Sequence, residues 1–112
     1  MKAENLAAEL GLKKLTETGL DKKITGVFIG DLLSIVMSES SEGDAWITMQ
    51  THANILNVAD LNELACVIIA GGITPDKSLV EKAKEAGVVL LASEMGSYDL
   101  AWRIHEALEG RM

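Results

Sequence analysis

Apolar positions follow two periods along this chain. Ala3, Leu6, Ala7 and Leu10 fall at i, i+3, i+4 and i+7, one stripe of a helix, and Gly11 stands where a helix C-terminal glycine is expected. Residues 12–15 read as a short edge strand and 16–23 as a polar loop around Gly19. Residues 24–29 are β-branched and aromatic, which predicts a strand. Asp31 is then placed to cap a short apolar helix over 32–37. After the solvated stretch 38–43, residues 45–50 read as a strand. The turn Thr51-His52-Ala53-Asn54 follows, with Asn54 as cap of a helix over 55–64. Residues 66–70 are apolar without interruption, the pattern of a strand covered on both faces. Gly71-Gly72 ends that run. Thr74-Pro75-Asp76 reads as a helix start, with Thr74 as cap, proline at the first helical position and an acid in the first turn. Leu79, Val80 and Ala83 form the core side of that helix and Gly87 ends it. Residues 88–92 give another buried strand, and Ser97 opens a last helix that runs to about Glu109.

Helices set between buried apolar strands require a mostly parallel sheet with right-handed crossovers. The expected fold is therefore α/β, a single three-layer domain over residues 1–112 with helices flanking the sheet. Hydrophobic residues make up 48% of the chain, enough to build a core and to exclude disorder. No apolar run approaches the roughly 18–20 residues that span a bilayer. Met1-Lys2-Ala3-Glu4-Asn5 lacks the apolar stretch of a signal peptide, so a cytoplasmic location without membrane contact is expected. A net charge of −7 repels phosphate backbones and argues against nucleic-acid binding. The first helix resembles the opening of a helix-turn-helix, but no basic recognition helix follows it. Cys66 is the one cysteine, which rules out a disulfide within the chain. Together with His52 and His105 it gives three Cys or His side chains, short of the four of a closed zinc site. No metal and no cofactor is expected.

Candidate chemistry gathers where strands end. Gly71-Gly72-Ile73-Thr74 lies between a strand and a helix, as a phosphate cradle would, yet neither G-x-x-x-x-G-K-[ST] nor G-x-G-x-x-G occurs. The pair reads either as a ligand loop or as a tight turn that needs glycine dihedrals. Thr51, His52 and Asn54 set a hydroxyl, an imidazole and an amide at the carboxyl end of a strand, the edge where open α/β sheets bind ligands. The alternative is a plain cap with a surface histidine. Asp31 and Ser93-Glu94 carry the same two readings. Ser34, His52 and Asp31 can be written as a triad, but no G-x-S-x-G elbow supports it. Cys66 lies inside an apolar strand, where thiols are inert. In the last helix, Leu100, Ala101, Ile104 and Leu108 form the core stripe. Tyr98 and Trp102, spaced i, i+4, project away from it with His105 nearby. That face reads as a contact with another chain, most simply in a homodimer, or as a surface covered by a neighbouring helix.

Several strings together resemble the DRTGG domain, and more distantly the amino-terminal domain of HPr kinase/phosphorylase and of muramyl ligases. They are Leu6-Ala7-Ala8-Glu9-Leu10-Gly11, Ile24-Thr25-Gly26-Val27-Phe28-Ile29-Gly30-Asp31-Leu32-Leu33, Gly43-Asp44-Ala45-Trp46-Ile47-Thr48, Cys66-Val67-Ile68-Ile69-Ala70-Gly71-Gly72-Ile73-Thr74-Pro75 and Ala83-Lys84-Glu85-Ala86-Gly87-Val88-Val89-Leu90-Leu91-Ala92-Ser93. Gly71-Gly72 matches the family's double glycine, while Thr51-His52 stands where the family has Asp-Arg. The resemblance implies an α/β domain with a largely parallel sheet and a non-catalytic, regulatory role. Such domains are found beside CBS domains, pyrophosphatases and phosphotransacetylases. The P-loop domain of the kinase relative is absent, so no kinase activity is implied.

The leading expectation is a regulatory module, not an enzyme, that dimerises and senses a small nucleotide-like ligand through Asp31, Thr51, His52, Asn54, Gly71, Gly72 and Thr74. Tyr98, Trp102 and His105 are the expected interface. Neither ligand loop contains Lys or Arg, so a phosphate would draw a cation from another subunit. The alternatives are a protein–protein interaction module acting on a partner enzyme, and a hydrolase using His52.

Overall fold

A computed structural model describes residues 1–110. Its elements run α1 (Ala3–Leu10), β1 (Lys13–Lys14), β2 (Gly26–Ile29), α2 (Leu33–Glu39), β3 (Asp44–Thr48), α3 (Asn54–Leu61), β4 (Cys66–Ile69), α4 (Lys77–Ala86), β5 (Leu90–Ala92) and α5 (Ser97–Glu109). The sheet order is β1-β5-β4-β3-β2. Strands β2 to β5 are parallel in sequence order, and β1 pairs antiparallel with β5 at the edge.

Because β2, β3, β4 and β5 lie side by side in chain order, their right-handed crossovers α2, α3 and α4 fall on one face. Val36, Ile55, Leu56, Leu79 and Ala83 from those helices pack there on Trp46, Val67, Ile69 and Leu90. Helices α1 and α5 cover the other face, where Ala3, Leu6, Leu100 and Ile104 meet Ala45, Ile47, Ile68 and Leu91. Alternate residues of each central strand thus enter opposite cores, which explains the unbroken apolar runs. The result is the expected three-layer α/β domain with a mostly parallel sheet.

Helix starts depart from expectation in three places. Asp31 does not cap α2: Leu32 is the cap residue and makes no side-chain bond. Asn54 is the first residue of α3, and His52 Nδ1 accepts its N–H at 3.1 Å. Thr74 is not the cap of α4 either. Asp76 is, accepting the Leu79 N–H at 2.9 Å, so Pro75 lies buried ahead of the helix. A carboxylate at that position both accepts the orphan N–H and complements the helix dipole, an advantage no threonine hydroxyl has.

Candidate functional site

The four parallel strands all release their chains at one rim, which therefore collects Asp31, the 49–54 loop, the Gly71-Gly72 turn and the Ser93-Glu94 segment. Short hydrogen bonds tie them in two pairs, Asp31 to the exit of β3 and the Gly71-Gly72 turn to the 93–95 segment. The Asp31 carboxylate accepts from Thr48 Oγ1 and from the Met49 N–H, both at 2.8 Å. The same Thr48 oxygen accepts the Gln50 N–H at 3.0 Å. Gln50 Oε1 in turn accepts the N–H groups of Thr51 and His52, each at 3.1 Å. A side chain that sequence reasoning passed over, Gln50, thus sets the shape of the Thr51-His52 turn. Thr51, His52 and Asn54 remain exposed on the rim.

Gly71 and Gly72 take φ of 79° and 72°, the left-handed region. A Cβ on Gly71 would stand 3.0 Å from the Met49 methyl, and one on Gly72 would stand 3.2 Å from Glu94 Oε2. Their N–H groups donate to the carbonyls of Met95 and Ser93, at 2.8 and 2.9 Å. The pair is therefore a tight turn that fastens the loop after β4 to the segment after β5. Of the two readings of this pair, ligand loop and tight turn, the hydrogen bonds fit the turn, since both amides donate to carbonyls.

Past this turn the chain diverges. From β4 it passes to α4 on one face, and from β5 to α5 on the other. Divergence of neighbouring connections creates the crevice at which open α/β sheets bind ligands. Beside it lies a cleft of about 310 Å³ lined by Thr74, Ser93, Glu94, Leu15 and Lys13 among others. Lys13 brings to the cleft a cation of this chain, which neither ligand loop contains. It arrives from β1, far away in sequence, and no local motif announces it. Of the seven expected ligand residues, Thr74 lines this cleft. Asp31, Thr51, His52 and Asn54 stand toward the β2–β3 side.

A larger cleft, about 560 Å³, opens near the amino ends of the strands, with Lys22, Lys23, Glu42, Asp60 and Glu63 in its walls. On α5, Tyr98 is 81% and Trp102 40% exposed, so no helix among the described residues covers that face. The Arg103 guanidinium lies 5.2 Å from the Trp102 ring centre, and His105 borders a groove between α5 and β2.

The written triad is not assembled. Asp31 is engaged by Thr48 and Met49, and His52 Nδ1, the atom that a triad acid would bind, accepts from Asn54 instead. Burial pushes the Cys66 thiol up to about 12, against a smaller opposing effect of Lys22. Among the described residues no cluster of acids, histidines or cysteines could hold a metal, and no helix is long and apolar enough to cross a membrane.

A model of the DRTGG domain matches residues 5–107 of the chain. No curated protein matches it. Six solved chains do. One is the crystal structure of the CBS and DRTGG domains of the regulatory region of Clostridium perfringens pyrophosphatase, complexed with activator, diadenosine tetraphosphate. It aligns with a TM-score of 0.68 at 19% identity over 90% of this chain. At that identity the likeness is one of fold. The match covers 44% of that longer chain, so this sequence spans less than half of its length.

Proposed function

The chain belongs to the DRTGG domain family, and from that premise we propose that it is a non-catalytic regulatory module, sensing a small nucleotide-like ligand at the carboxyl rim and dimerising through the outer face of α5. The observation that carries this reading is the rim itself. The loop after β2 is hydrogen-bonded to that after β3, and the turn after β4 to the segment after β5, so the rim forms a continuous edge beside a cleft, and among the described residues no acid–histidine–nucleophile relay accompanies it. The solved relative was crystallised with diadenosine tetraphosphate, which supports a nucleotide as the class to try first. Whole-chain action as one module in the cytoplasm belongs to the same proposal.

The test is thermal unfolding of the purified protein with AMP, ATP and diadenosine tetraphosphate. A ligand at a hundred times its Kd stabilises the fold by about 2.7 kcal/mol, a shift of several degrees. Absence of any shift at millimolar concentrations sinks ligand sensing.

A second reading, a protein–protein interaction module acting on a partner enzyme, is favoured by one observation: Tyr98 is the most exposed large apolar side chain of the described residues. It predicts a partner whose binding is lost on Tyr98→Ala while nucleotides have no effect.

A further inference from the structure

We propose that β4, α4 and β5 form a nucleoside-binding unit, in which the cleft beside β5 holds the base and the Glu94 carboxylate binds the ribose diol. This rests on the ligand-sensing reading and gives it a place and a chemical class.

The first argument is topological. The unit is a strand, a glycine turn, a helix and an adjacent parallel strand, and Glu94 stands two residues past the end of that second strand. Glu94 stands 22 residues after Gly72. In dinucleotide-binding βαβ units an acid about 20 residues beyond the glycine turn accepts the ribose hydroxyls. A vicinal diol presents two donors, and a carboxylate presents two acceptors at matching spacing.

Local geometry agrees. Glu94 Oε2 lies 3.2 Å from where a Cβ on Gly72 would be, so the carboxylate rests close over the turn. Glu94 is exposed, and no hydrogen bond or ion pair engages it among the described residues. The cleft walls next to it are Leu15, Ile73, Pro75 and Ala92, an apolar lining suited to a planar base. About 310 Å³ accommodates a nucleoside and exceeds what a small acid needs.

Charge decides between nucleoside and polyphosphate. Lys13 and Glu94 are the charged side chains lining the cleft, and they sum to zero. The Gly71 and Gly72 amides, the usual phosphate cradle, are already donated to carbonyls. Recognition therefore falls on base and sugar, with Lys13 free to donate to a ring nitrogen or to one phosphate.

The experiment is an NMR titration of the whole chain with adenosine, 2′-deoxyadenosine, ATP and diadenosine tetraphosphate, using the wild type and Glu94→Gln. The inference expects adenosine to shift the amide signals of Leu15, Ile73 and Glu94. It expects about tenfold or weaker binding of 2′-deoxyadenosine, since a hydrogen bond to a charged acceptor is lost. Glu94→Gln should weaken adenosine and erase the difference between the two, with the rest of the spectrum unchanged. Equal binding of both nucleosides, indifference to Glu94→Gln, or shifts confined to Thr51, His52 and Asn54 overturn the cleft assignment and leave ligand sensing standing. So does binding of ATP or diadenosine tetraphosphate without adenosine. No binding of any of the four overturns both.

Discussion

The hydroxyl of Thr48, at the buried end of β3, donates to the carboxylate of Asp31 across 2.8 Å. The acid also takes the Met49 N–H at 2.8 Å, so one side chain after β2 holds the exit of β3. Asp31→Ala leaves the buried Thr48 hydroxyl without its acceptor. The expected loss is about 1–3 kcal/mol by urea denaturation, with Asp31→Asn intermediate. A loss below a few tenths would show that water replaces the carboxylate.

Trp46 is fully buried, and its indole N–H donates to the Gly30 carbonyl at 2.8 Å, whereas Trp102 is 40% exposed. Trp102→Phe should therefore leave a blue-shifted emission that resists acrylamide. Trp46→Phe should leave a red-shifted, quenchable one and cost about 2–4 kcal/mol, from the vacated space and the orphaned carbonyl.

Burial pushes the Cys66 thiol from 9.0 up to about 12. The folded state keeps its proton where the unfolded chain releases one. Stability contributed by this group is complete below pH 9 and falls as pH rises from there toward 12. Denaturant midpoints of Cys66→Ala and wild type should then converge between those limits. At pH 8 the native thiol should resist iodoacetamide and react only on unfolding.

Glu63 has φ of 53°, at the position after the α3 cap where Leu64 N–H bonds the Ala59 carbonyl and Glu63 N–H bonds that of Asp60. That pattern is the glycine-favouring end of a helix. Glu63→Gly relieves left-handed strain of about 1–2 kcal/mol and adds unfolded-chain entropy of somewhat less. A net gain of about 0.5–1 kcal/mol in chemical denaturation is expected. Loss of stability would mean that the Glu63 side chain contributes more than its backbone costs.

Trp102→Glu places a charge on the outer face of α5. If that face joins two copies, the variant sediments as a monomer at concentrations where the wild type is a dimer. Identical sedimentation of the two removes α5 as the interface.

The order of elements was readable because it depends on local periodicity. Residues 66–69 and 90–92 are apolar at every position, the pattern of a short strand between two helix layers, and the structure buries them on both faces. The αL glycines Gly11 and Gly87 end α1 and α4 where expected. The outward face of Tyr98 and Trp102 followed from helical geometry alone. Caps were less legible. Asp31, Asn54 and Thr74 are all good cap residues by composition, and each was outcompeted by a partner or a neighbour: Thr48, His52 or Asp76.

Sequence by itself determined the layers, the mostly parallel sheet and the rim on which the loops gather, because those follow from spacing along the chain, whereas the strand order came from the structure. Tertiary structure alone decided which groups share a space: that Gly71 and Gly72 spend their amides on the β5 loop, and that Lys13 joins Glu94 at one cleft. The physical reason is range. Periodicity reports a few consecutive residues, whereas a hydrogen bond or a shared cleft depends on which distant residues the packed sheet brings side by side.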